Sequence, residues 1–328
     1  MTKVSVVIPT HNCARYLPDA IRSVLTQTYS DYEIIVVNDG STDDTEEALR
    51  PYSEDIVYIY QKNSGGPSGP RNVGIEAAQG KYVSFLDADD MMLPDKLRHA
   101  VEFLDEVPAL GLVFSNFVKQ REDGERHRGP FLAQCRRFRG LEKVSIGAHR
   151  FVIRRDIAFD ALLLENFVGT SSVVCPKAVL SDVGQFDTSL TSVEDREMWL
   201  RIARSYDVGY FDAVDHVYLD RASSVSKNGL AASICGLRVL ERYVGDVHSV
   251  AVRREAKRAI AIRSCDAGYH YANSGDMRAA RKAYLKGLRK GNIWSSGRGL
   301  LRTSMLGRSL VAAKNLLRSA LMKETKAL

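Results

Sequence analysis

The first hundred residues alternate short β-branched runs with segments of helical periodicity, the rhythm of a parallel sheet wrapped by helices. Val4-Ser5-Val6-Val7-Ile8 reads as a first strand, and Ala14 to Gln27 as a helix with Leu17, Ala20, Ile21, Val24 and Leu25 on one face. Glu33 to Val37 predicts a second strand. Ser41 is expected to cap a helix running to Leu49, with Asp43, Asp44 and Glu46 in its first turn, where negative charge suits the helix dipole. Ile56 to Tyr60 predicts a third strand, Arg71 to Ala78 a helix, Tyr82 to Leu86 a fourth strand, and Pro94 to Leu104 a helix opened by proline. Open α/β sheets of this kind bind ligands at the carboxyl ends of their strands.

Beyond Leu110 the pattern loosens. Leu112 to Val118 and Ser171 to Cys175 read as strands, Lys177 to Val183 and Glu194 to Ser205 as helices, and Gly209 to Leu219 as an extended segment, whereas the Arg-rich stretch 119–165 shows no clear period. From about Gly229 everything reads helical. Ala267-Gly268-Tyr269, Tyr271-Ala272, Gly275-Asp276, Ala279-Ala280 and Ala283-Tyr284 have the small-and-aromatic spacing of one tetratricopeptide-like helix pair. One such unit cannot form a solenoid, and it reads as a helical cap. The expected division is 1–227 for the α/β domain and 228–328 for the helical extension.

Composition narrows the class. The 328 residues, 45% hydrophobic and 26% charged, are those of an ordinary globular chain with a sizeable core. The first apolar run, Val4 to Ile8, ends at Pro9, which gives no secretory leader and makes a cytoplasmic location the expectation. No run approaches the roughly 18–20 apolar residues of a membrane span. Five scattered cysteines without a C-x-x-C pair indicate neither a disulfide framework nor zinc. The net charge of +6 hides a polarity: residues 1–100 carry −6, 101–220 carry −4 and 221–328 carry +16. A basic tail on an acidic body suits anionic lipid, polyanionic glycan or nucleic acid, and equally a solvated Arg- and Lys-rich surface.

Chemistry concentrates where strands end. Val83-Ser84-Phe85-Leu86 runs into Asp87-Ala88-Asp89-Asp90, three carboxylates that repel one another unless a cation or ligand donors compensate them. A divalent metal bridging carboxylate and diphosphate would do so, and an acidic turn ahead of the Pro94 helix is the plainer reading. The first strand ends in Pro9-Thr10-His11-Asn12, the second in Asn38-Asp39-Gly40-Ser41, and Asn63 to Asn72 follows the third. Asp39 can accept a hydrogen bond from a base, the glycines let backbone approach a ligand, and Arg71 offers a charge-assisted fork. Each alone is ordinary turn chemistry; four such edges on one rim point to a nucleotide.

Val4-Ser5-Val6-Val7-Ile8-Pro9-Thr10, Val37-Asn38-Asp39-Gly40-Ser41-Thr42-Asp43, Pro70-Arg71-Asn72-Val73-Gly74 and Phe85-Leu86-Asp87-Ala88-Asp89-Asp90 resemble the successive signatures of family 2 glycosyltransferases with the GT-A fold. The resemblance covers about residues 1–225. It implies a Rossmann-like mixed α/β sheet flanked by helices, a nucleoside diphosphate sugar donor, usually of uridine, a divalent metal (Mn or Mg), and inversion at the anomeric carbon. By position, Pro9, Thr10 and Asp39 would hold the base, Asp87 the ribose side with Ala88 beside it, and Asp89 the metal. Gly184-Gln185-Phe186-Asp187 and Val193-Glu194-Asp195 are similar to the family's G-x-F-D and E-D segments, which makes Asp195 the expected general base with Glu194 next to it. The reading without catalysis is that both acids begin an amphipathic helix.

The match fails at Arg221, which stands where many relatives have a His. It can pair with a diphosphate but cannot ligate a metal, so metal dependence is expected to be weak or partial. The Q-x-x-R-W motif of processive synthases is absent. A sugar-1-phosphate nucleotidyltransferase would want a Gly-rich loop after the first strand, and a dehydrogenase G-x-G-x-x-G; neither is there. A non-catalytic binding module on a relict fold is the remaining rival.

The expected partners are the donor and a glycan or lipid-linked acceptor, with no nucleic acid. The basic amphipathic segment from Leu300 to Leu321 can lie on the anionic inner membrane face, pack on the chain's own helices, or pair two subunits as a homodimer. The seven histidines show no metal-ligand spacing and read as surface or loop residues, and Trp199 as core.

Overall fold

The structure, a computed structural model, describes residues 2–221 and 229–303. It divides into two compact units, Met1–Lys227 and Asn228–Leu328.

The first unit is built on a ten-stranded mixed sheet in the order β3-β2-β1-β4-β9-β6-β10-β8-β7, with β5 paired to β10. The strands are β1 (Val4–Thr10), β2 (Tyr32–Asp39), β3 (Ile56–Gln61), β4 (Tyr82–Phe85), β5 (Met91–Met92), β6 (Leu110–Arg121), β7 (Val144–Gly147), β8 (Arg150–Ile153), β9 (Val174–Pro176) and β10 (Asp207–Asp220). The helices are α1 (Leu17–Leu25), α2 (Thr45–Leu49), α3 (Ser68–Ala77), α4 (Lys96–Glu106), α5 (Arg136–Arg139), α6 (Arg155–Leu164), α7 (Lys177–Val183) and α8 (Glu194–Ser205). β1 runs parallel to β2 and β4, and β2 to β3. β9 is antiparallel to both β4 and β6, so β6 keeps the direction of β4, and β10 runs parallel to β6. The carboxyl ends of β1, β2, β4, β6 and β10 therefore share one rim.

Val4, Val6, Val7 and Ile8 are all fully buried, as expected of a strand covered on both faces. Leu17, Ala20, Ile21 and Val24 form the buried stripe of α1. Gly74 lets α3 lie directly on β1, because a Cβ there would sit 2.3 Å from a methyl of Val7.

The structure corrects several expectations. The helix expected from Ser41 begins at Thr45, because Ser41 and Asp43 are spent on the loop after β1: the Ser41 hydroxyl accepts from Asn12 N at 3.0 Å, and Asp43 accepts from Ala14 N at 3.0 Å. α3 starts at Ser68, three positions before the expected Arg71, with Pro70 inside its first turn. His216 is not a surface residue: it lies in β10, is 1% exposed, and burial pushes its imidazole well below the usual range. Residues 119–165 form α5, the β7–β8 hairpin and α6 around an aromatic cluster of Phe114, Phe138, Phe167 and Tyr210.

The second unit consists, among the described residues, of α9 (Gly229–Tyr243), α10 (Val250–Asn273), α11 (Met277–Arg289) and α12 (Ile293–Thr303). Ser249 and Asp276 cap α10 and α11 through Val252 N and Ala279 N. Gly268 is the contact residue of the α10–α11 pair, since a Cβ there would come within 2.8 Å of the buried Tyr284 ring. No described helix is long and apolar enough to cross a membrane. The basic segment expected to 321 lies outside the described residues from position 304 onward.

Candidate active site

The rim opens on the ends of β1 and β2. The Asp39 carboxylate accepts from Ser64 N at 3.0 Å, Ser64 Oγ at 2.9 Å and Gln61 Nε2 at 2.5 Å, which fixes it at the foot of the loop after β3. Gly40 turns the chain out of β2 at φ +69°, and a side chain there would press on Asn63 N at 2.7 Å, so only glycine fits. Asn12, itself at φ 53°, accepts from Thr42 N at 2.8 Å and ties the two loops together. Pro9 is half-buried. Thr10 is 2% exposed and its Oγ1 has no hydrogen-bond partner, an orphaned polar atom that a ligand would satisfy.

The turn after β4 holds its carboxylates by different means. Asp90 is buried, accepting from Ser171 Oγ at 2.6 Å and Leu219 N at 3.0 Å; burial, then Asp89 and Asp87, push its carboxyl well above the usual range. The same Ser171 hydroxyl accepts from Asp87 N at 3.1 Å, while Ala88 is buried beside it. Asp89 faces Arg221, whose Nη2 lies 2.5 Å from its Oδ2. Burial and Asp87 raise the Asp89 carboxyl against the opposing pull of Arg221. The Arg221 guanidinium also stacks on Tyr16 at 4.8 Å, and the Tyr16 hydroxyl donates to Glu122 at 2.6 Å.

Arg71 joins the two sides of the site. Its guanidinium, buried under the rim, donates to Asp87 Oδ1 at 2.7 Å and Glu194 Oε1 at 2.6 Å. Burial alone would lower its pKa, but the two carboxylates outweigh it and hold the charge firmly in place. The fork expected to face a donor is thus used internally, and Glu194 is turned toward Arg71. Asn72, one residue on, exchanges hydrogen bonds with the backbone of Phe186 at 2.8 and 3.0 Å, locking α3 to the Gly184–Asp187 loop.

Asp195 lies in the first turn of α8, directly after Glu194. Its Oδ2 accepts from Asn166 Nδ2 at 3.2 Å and Thr170 Oγ1 at 3.4 Å, and its Oδ1 from Arg196 N at 2.6 Å. Burial raises its carboxyl above the usual range, while these donors and Arg71 pull the other way. The residue before Glu194, Val193, is held at φ 57°, a left-handed conformation that costs a β-branched residue on the order of 1–2 kcal/mol. Strain of that kind survives only where surrounding packing dictates it, here at the entry to the helix that carries Asp195.

A divalent ion needs several hard donors converging on one point. Among the described residues no three His, Cys, Asp or Glu groups could hold one together. Of the turn's three carboxylates, Asp87 is paired with Arg71, Asp89 with Arg221, and Asp90 is enclosed by Ser171 and Leu219. The set fits guanidinium partners and does not fit a resident metal.

Sequence reasoning missed Asn166, Thr170 and Ser171, the three residues that hold Asp195 and the aspartate turn. Asn166 and Thr170 stand where the sequence shows no period, and Ser171, expected to open a strand, lies instead in a 3-10 turn, Thr170–Ser172, ahead of β9. The reversal at β9 is what brings this segment across the rim, and no local pattern announces it.

Comparison with known proteins agrees with this architecture. Residues 5–161 match the Glycosyl transferase family 2 model. An uncharacterized glycosyltransferase of Rickettsia typhi is 33% identical over 210 residues, 64% of this chain and 61% of that protein. The chain thus spans about three fifths of that relative's length. Among solved structures, a Staphylococcus aureus TarS fragment in complex with UDP-GlcNAc superposes with a TM-score of 0.61 at 16% identity, covering 95% of this chain and 92% of that one. The mannosyltransferase PcManGT from Pyrobaculum calidifontis, in complex with GDP-Man and Mn2+, gives 0.55 at 18% identity, covering 98% and 86%. The fold is that of the GT-A transferases, and residues 5–161, just under half of the chain, carry the likeness to glycosyltransferase family 2.

Proposed function

We propose that the chain is an inverting glycosyltransferase that moves a sugar from a nucleoside diphosphate, a UDP-sugar as in the TarS complex, to a hydroxyl of a glycan or lipid-linked acceptor. Asp39 and Thr10 take the base, Asp87 the ribose side, and Arg221 the diphosphate. Asp195 accepts the proton of the acceptor hydroxyl as its oxygen bonds to the anomeric carbon; the bond from that carbon to the diphosphate oxygen breaks, and its electron pair leaves with the diphosphate. The observation that carries the reading is the Arg71 bridge. A single buried guanidinium ties the donor-side turn at Asp87 to the helix bearing Asp195, an arrangement that fixes two reacting halves relative to each other.

A protein of similar fold, PcManGT, is known in complex with Mn2+, but the donor set here does not fit a resident ion, so no step is assigned to one. Glu194, held by Arg71, positions Asp195 and does not act as the base.

The test is a screen of UDP- and GDP-sugars for nucleoside diphosphate release, with Asp195→Asn and Asp39→Ala beside the parent chain. Release from at least one donor, lost in Asp195→Asn while nucleotide binding persists, supports the reading. Tight nucleotide binding with no turnover of any donor would make the chain a non-catalytic module and overturn it.

A further inference from the structure

Between Arg126 and Arg139 the chain carries five arginines and no acidic residue, although the first 220 residues are acidic overall. Arg126, Arg128, Arg136 and Arg139 are exposed, and none of them forms an ion pair among the described residues. Exposed cations that find no internal partner on an acidic body remain available to an external anion.

The position of this lobe gives the charge a meaning. At one end His127 Nε2 lies 3.3 Å from Asp220, the residue before Arg221, which pairs with Asp89. At the other end the backbone N–H groups of Arg137 and Phe138 donate to Glu165 at 2.9 and 3.3 Å, one residue before Asn166, which holds Asp195. Gln134 Nε2 donates to Arg128 O at 3.5 Å and joins the two halves of the lobe. The arginines therefore sit on a scaffold fastened both beside Arg221, the partner of Asp89, and beside Asn166, the partner of Asp195.

The chemistry selects the partner. Guanidinium forks pair in bidentate fashion with phosphate and carboxylate oxyanions. Single-stranded nucleic acid would also need exposed rings on which to stack. The lobe's rings are spent internally: Phe131 stacks on Phe117 at 4.4 Å, and Phe138 is buried against Phe114.

We infer that this lobe is the acceptor-binding surface and that the acceptor is an anionic polymer of sugar or polyol units, carrying phosphate or carboxylate groups. The inference rests on the transferase reading above.

Its test measures binding of the full chain to poly(glycerol phosphate), polygalacturonate, neutral dextran, a single-stranded RNA of matched charge, UDP and GDP. The parent, an Arg126→Ala/Arg128→Ala variant and an Arg136→Ala/Arg139→Ala variant are compared. At least one of the two anionic polymers should bind, dextran should not, and each double variant should weaken the polymer about tenfold with nucleotide affinity unchanged. Which polymer binds assigns the anion. RNA binding as tight as either polymer, or polymer affinity unchanged in both variants, would overturn the inference. If neither polymer binds while UDP or GDP does, the acceptor inference fails and the transferase reading stands. If neither nucleotide binds, the transferase reading itself fails.

Discussion

Arg221 Nη2 lies 2.5 Å from Asp89 Oδ2, which places a fixed cation where the family resemblance implies a metal. A guanidinium and a divalent ion compete for one carboxylate, so replacing Arg221 should expose a latent dependence on added metal. In Arg221→His, donor turnover is expected to fall at least about tenfold in chelator and to recover with Mn, whereas the parent changes by less than about threefold. Equal chelator sensitivity in both proteins would show that Arg221 does not serve this role.

As the proposed general base Asp195 would work only when ionised, and burial raises its carboxyl above the usual range. Turnover should therefore fall on the acid side as pH drops through that raised value. Asn166 donates to the carboxylate and lowers its pKa, so Asn166→Ala should move the acid limb to higher pH. Asp195→Asn should lower kcat by about 100-fold or more at every pH. An unmoved limb in Asn166→Ala would reduce Asn166 to a packing residue.

Removing Arg71 would leave Asp87 and Glu194 unpaired under the rim. Arg71→Ala should cost about 3–5 kcal/mol of stability in chemical denaturation. Arg71→Lys, unable to fork, should recover only part of it. A loss below about 1 kcal/mol would mean that water replaces the guanidinium without penalty.

Lys96 is 1% exposed, with Ser84 Oγ at 3.5 Å, and burial pushes its ammonium down to about 8 from 10.5, Asp215 opposing. The folded chain holds this proton more weakly than the unfolded one. The penalty is therefore full below pH 8 and relieved as pH rises from 8 toward 10.5. Lys96→Met should stabilise the protein at pH 7 by about 1–3 kcal/mol and flatten that rise. Unchanged denaturation midpoints across this range would contradict the burial argument.

The sheet centre was legible because β1, β2 and β4 are short, apolar and covered on both faces, so composition alone marks them. β6 and β10 were recognised with shorter bounds, their polar ends continuing the ladder past the apolar run. The β7–β8 hairpin was invisible, since Val144, Ser145 and Gly147 are exposed and leave no alternation to read. At the site, the aspartates declared themselves by standing at strand ends. What they touch did not: Ser171 reaches Asp90 from 81 positions away, and Asn166 reaches Asp195 from 29. Hydrogen bonds of that span leave no trace in local composition. The same holds for Arg71, read as a ligand fork because nothing in sequence reveals that two carboxylates claim it first.

The Arg71–Glu194 contact also joins positions 123 residues apart. A nascent chain released from the ribosome before Glu194 keeps Asp87 but lacks the second counter-charge of its buried arginine, the helix that carries Asp195, and Arg221. Premature termination or proteolytic clipping in that interval yields a product whose interior arginine is only half-compensated, one that quality-control proteases would clear.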